Sequence, residues 1–161
     1  MSGGPSIPHD DRRDVRALRK SELSATQFHV ACSVGRLVEV RPETLQSVVA
    51  VSEIGAAIGK AARAAGPEAL FCVDWRRLRV LAPEVADALG ALMRQGNARV
   101  LRSAALISER ATFGLQVERV LRAANNPERR AFRDAKELLD WLAEVATPEE
   151  STRARAFLVS V

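Results

Sequence analysis

Asp74, Glu84 and Asp87 are the carboxylates best placed to act together, in the segment LFCVDWRRLRVLAPEVADALG. Asp74 ends an apolar run, and Glu84 and Asp87 follow Pro83 at a spacing of one helical turn. Carboxylates that converge at one end of a sheet could hold a metal or exchange protons, but a solvated polar rim is by far the commoner outcome. Beside them, Trp75 stands among Arg76, Arg77 and Arg79. An aromatic ring among arginines suits an interface hot spot; the same tryptophan could instead cap the core. We expect Trp75, Arg76, Arg77, Arg79, Glu84 and Asp87 to be partner-binding residues.

No reactive constellation accompanies them. The chain has no Gly-rich phosphate loop, H-E-x-x-H, C-x-x-C or G-x-S-x-G. The expectation is a non-enzymatic protein with no catalytic, cofactor-binding or metal residues. Cys32 and Cys72 each sit inside an apolar run, as buried structural cysteines do. His29 has no second ligand at a useful spacing. Arg119, Arg122, Arg129, Arg130 and Arg133 could form an anion patch or a solvated face.

The 161 residues are enough for one domain with tails and a core that needs no staples. Hydrophobic residues make up 47% but aromatics only 4%, with no tyrosine, so the core is built from Ala, Val and Leu. Few rings are left for base stacking, and the net charge of +4 is interspersed with acids, which argues against a specific nucleic-acid partner. No apolar run reaches membrane-spanning length, and MSGGPSIPHDDRRD lacks a signal-peptide core. A cytoplasmic location is expected.

The elements that must position these residues follow from periodicity. Residues 1–25 are expected to be a disordered polar tail. FHVACSVGRLVEV alternates around Gly35 and predicts a hairpin. A helix is predicted over Glu43–Ala65, its Gly55 and Gly59 allowing close approach to a neighbour, with Gly66-Pro67 as a stop. A buried strand covers Ala69–Val73. A helix opened by Pro83 runs from Glu84 to Gln95. A strand lies within 98–107, a helix covers Thr112–Ala124, and a short strand covers Arg130–Phe132. Asp134 caps a last helix whose apolar face includes Trp141. The order predicts an α/β fold with a mainly parallel sheet of four to five strands, an N-terminal antiparallel hairpin and about four helices. The domain is expected over 26–147, with 148–161 as a C-terminal extension.

From Phe28 to Val145 the chain resembles the STAS family, the sulfate-transporter and anti-sigma-factor-antagonist domains, in a divergent bacterial STAS/SEC14-like branch. The carrying pieces are Gly35-Arg36-Leu37, FCVDWRRLRVL and FRDAKELLDWL, in that order. The resemblance implies a regulatory module that binds another protein, and in some members a nucleotide or apolar ligand. Phosphorylated antagonists carry an Asp-Ser pair at the turn into the second helix. The matching turn here reads Val80-Leu81-Ala82-Pro83-Glu84, with no hydroxyl to modify. Three functions stay open: a protein-interaction module, an apolar-ligand or lipid carrier with a cavity under the Ala-rich long helix, and a structural homo-oligomer such as a homodimer. An internal pocket would favour the carrier; a flat apolar patch rimmed by arginine would favour the others.

Overall fold

The computed structural model describes residues 28–160; the polar tail expected over residues 1–25 lies outside them. Alternation in FHVACSV and LVEVRP gives strands β1 (Phe28–Val34) and β2 (Leu37–Pro42), joined by a turn at Gly35. Gly35 has φ of +53°, and a Cβ there would fall 2.5 Å from Glu150 Oε1. Helix α1 (Val48–Ala65) starts later than expected from Glu43. Ser47 sets the boundary: its hydroxyl accepts from the Ala50 N–H and caps the first turn.

Strand β3 (Ala69–Asp74) leads through the Trp75–Ala82 loop to α2 (Pro83–Gln95). A single 3-10 turn at Asn97–Arg99 precedes β4 (Val100–Leu106). Helix α3 (Ala111–Ala124) ends on Asn125, whose left-handed φ of 52° turns the chain toward β5 (Arg129–Phe132). Asp134 then caps α4 (Ala135–Ala143) by accepting from the Glu137 N–H.

The five strands lie in the order β1-β2-β3-β4-β5. β1 pairs antiparallel with β2, and every other pair is parallel. The molecule is therefore an α/β sheet with the expected N-terminal hairpin. Central strand β3 is buried along its whole length, because helices cover both faces. On the first face, Val38, Val40, Phe71, Val73 and Ala105 meet α1, α2 and α3. On the second, Leu37, Leu70, Cys72, Ala104 and Leu106 meet Trp141 of α4 and the helix that follows.

That helix, α5 (Pro148–Val159), lies where an extension beyond the domain was expected. It is an integral layer of the fold: Ala154, Phe157 and Leu158 are buried against the second face. Thr147 and Glu150 form a capping box at its start, each side chain accepting from the other's backbone N–H. The remainder of its attachment is ionic. Glu39 and Glu150, both fully desolvated, pair with Arg153 and Arg36 across the layer.

Candidate functional site

The loop after β3 is built inward from Asp74. This carboxylate is 2% exposed and accepts from the Arg76 N–H at 3.1 Å, from Arg76 Nε and Nη2 at 2.9 Å, and from Arg41 Nε at 2.9 Å. Burial alone would raise its pKa. The hydrogen bonds from Arg76 and then Arg41 outweigh burial and hold the carboxyl below its ordinary value. The same two guanidinium groups reach past Asp74 to the last turn of α5. Arg41 donates to the Phe157 carbonyl at 2.6 Å and Arg76 to the Leu158 carbonyl at 2.7 Å. Asp74 is thus the counter-ion of a structural clamp.

The other residues expected at a partner site separate by environment. Trp75 is 5% exposed and belongs to the first-face core, so the core position is the one it takes. Arg76 is held by Asp74, and Arg77 pairs with Glu43. Arg79 is exposed in the loop, and Glu84 and Asp87 are exposed on α2. The structure therefore does not bring Asp74 together with Glu84 and Asp87 as a set of exposed carboxylates. Among the described residues, no group of three His, Cys, Asp or Glu side chains could hold a metal ion.

Sequence reasoning missed Gln116 of α3. Its side chain accepts from the Leu81 N–H at 2.8 Å and donates to the Leu81 carbonyl at 2.7 Å. This paired contact fixes the loop against α3 and leaves a groove between α2 and α3. Val80 and Leu115, 59% and 65% exposed, border it with Pro83, Asp87 and Arg119.

The expected arginine patch is divided by the alternation of β5. Arg130 lies over the Trp141 ring, 4.9 Å from its centroid, on the second face. Arg129 points to the first face, where Nε donates to Asn97 Oδ1 at 2.9 Å and Nη2 to the Met93 carbonyl at 2.8 Å. Burial lowers its pKa to about 10, so it remains a cation at neutral pH. Among the described residues no carboxylate pairs with it.

Arg129 lines an apolar cavity of about 250 Å³ on the first face, between α1, α2 and the sheet. Its origin lies in the small residues of α1. A Cβ at Gly55 would fall 2.7 Å from Leu92 Cδ1, so glycine there lets α1 and α2 touch. One turn on, a Cβ at Gly59 would meet only the Arg63 guanidinium at 3.5 Å, and Gly59 and Ala62 leave the space beneath them unfilled. Ile54, Ile58, Phe71, Val73, Trp75 and Leu92 supply apolar walls. Polar lining gathers at the other end, where Gln95 and Arg99 are exposed near Ser103 and Arg129.

Close-packed interiors seldom contain voids larger than a water molecule. An engineered apolar cavity of about 150 Å³ stays dry and binds benzene. The cavity here is larger than that and walled mainly by apolar side chains. No family model matches the sequence, and neither a curated protein nor a solved structure matches it. No helix among the described residues is long and apolar enough to cross a membrane.

Proposed function

We propose that this chain is a non-enzymatic regulatory binding domain of STAS type, and that its effector is a small apolar molecule held between α1, α2 and the sheet. The observation that carries this reading is the cavity of about 250 Å³ with almost wholly apolar walls. Trp75 lines that cavity, whereas Trp141 belongs to the core of the opposite face. Tryptophan emission is therefore a local reporter. Titration with uncharged decanol should change the emission of wild type saturably and leave Trp75→Phe silent. Ala62→Leu, which fills the cavity from α1, should weaken binding at least tenfold. A folded wild type that binds no decanol would overturn the reading.

A second reading, docking of another protein, is favoured by the exposed Val80 and Leu115 beside the α2–α3 groove. Arg79, Glu84 and Asp87 would then be rim charges, and Trp75 would support the loop from inside. Once a partner is captured, Val80→Asp with Leu115→Asp should abolish its binding while leaving the fold intact. Unchanged binding would exclude this groove.

A further inference from the structure

The chemistry of the ligand is written in the one polar end of the cavity. Arg129 sits there as a largely buried cation that uses Nε and Nη2 on a neutral side chain and a carbonyl. Neither contact neutralises it, and neither uses its Nη1 hydrogens. A buried charge without a counter-ion is costly, and a guanidinium is shaped to receive a carboxylate through two parallel hydrogen bonds. Ser103, 4% exposed and facing the same space, adds a hydroxyl near that end. The opposite end, at Pro42, Leu45 and Trp75, is apolar. Polarity at one end and hydrocarbon at the other match an amphiphile lying head to tail.

We infer, resting on the apolar-ligand reading above, that the occupant is an anionic single-chain amphiphile whose carboxylate sits on Arg129 and whose chain lies among Ile58, Phe71 and Leu92. If about 150 Å³ serves the six carbons of benzene, the present volume suits a chain of about ten carbons. The cavity thus selects a medium-chain carboxylate by length and by charge. Arg129 is a specificity-determining residue, because an alcohol of equal length gains the same apolar contacts without the ion pair.

The test uses the full chain, delipidated by unfolding and refolding, with decanoate, decanol and decylammonium as probes at neutral pH and below micellar concentrations. Calorimetry should show decanoate binding wild type at least tenfold more tightly than decanol, with decylammonium weakest. Arg129→Gln, which keeps a donor for its neighbours, should remove the preference while retaining decanol binding. Equal binding of decanoate and decanol to wild type would overturn the charge selection and leave the apolar cavity reading intact. A preference that survives in Arg129→Gln would overturn the role of Arg129. Absence of binding by every probe would overturn the cavity reading itself. The wild-type series decides the head-group preference even if the variant fails to fold.

Discussion

Arg36 and Glu150 are 114 positions apart, and Glu150 Oε1 accepts from both the backbone N–H and the Nε of Arg36, at 2.8 and 3.2 Å. Arg36 Nη2 adds a bond to Glu150 Oε2 at 3.1 Å and another to the Val145 carbonyl at 3.0 Å. The contact joins the β1–β2 turn to the first turn of α5, and Gly35 provides the clearance it needs. Removing one partner of a buried pair costs about 3–5 kcal/mol. Arg36 is about a third exposed, so solvent reduces the figure. We expect Glu150→Ala to lower stability by about 3 kcal/mol in urea unfolding. Exposed Glu149→Ala should stay within about 0.5 kcal/mol.

Acid should act through the same groups. For Asp74 and for Glu150, burial raises the pKa but hydrogen bonds, chiefly from Arg76 and from Arg36, bring it below the ordinary value. The unfolded chain then binds protons more readily than the folded one. Stability from these carboxylates is complete above their ordinary range, near pH 4 to 4.5, and is lost as pH falls through the folded values. Urea midpoints should be level from pH 7 to about 5 and decline below about 4. In Arg76→Met the burial penalty at Asp74 loses its main counterweight, so the decline should begin at higher pH.

The two thiols should differ in reactivity. Burial pushes both above the ordinary thiol value, with Glu39 adding to the effect at Cys32. Cys72 has no exposed surface and lies within the second-face core, whereas Cys32 is partly exposed on β1. A disulfide reagent at pH 8 should label Cys32 slowly and Cys72 only at the rate of unfolding. Labelling of Cys72 in folded protein at the Cys32 rate would contradict this packing.

Trp75→Ala should act on stability first. Truncating a buried aromatic side chain costs about 3–5 kcal/mol, and here it would also enlarge the existing cavity. Val80→Asp changes a side chain that is mostly in solvent and should leave the midpoint within about 0.5 kcal/mol. Thermal unfolding of the two variants beside wild type checks the contrast.

Local rules were sufficient for most of the fold. The hairpin at Gly35, the proline start of α2, the Asp134 cap and the alternation of β3 each have a short-range cause. Helix α5 was missed although Thr147-Pro148-Glu149-Glu150 is a capping-box start and Ala154, Phe157 and Leu158 form a short apolar stripe. Glu150 and Arg153 read as surface charges until their partners on β2 and the hairpin turn are known. The start of α1 was placed too early because the cap at Ser47, whose hydroxyl accepts from the Ala50 N–H, went unread.

The site was less legible than the fold. Gly55 signalled a close helix approach correctly, whereas Gly59 faces open space instead; a cavity is what remains after several surfaces meet, and no single segment encodes it. Among the arginines, Arg129 became distinct only when β5 placed it opposite Arg130. The preference of Trp75 for the core was open in sequence, since an apolar ring after a strand suits either side of the surface.

The pairing of Glu39 with Arg153 sets an order on biosynthesis. Glu39 lies wholly out of solvent at the middle of β2, and Arg153 is made 114 residues later. At about 5–20 residues per second, a ribosome needs on the order of ten seconds to supply that counter-ion. During this interval the second face lies open around Glu39, while the strands and first three helices have their own core on the first face. Rare codons or pauses in the stretch between them would lengthen the exposure of the apolar strands to aggregation and to chaperones.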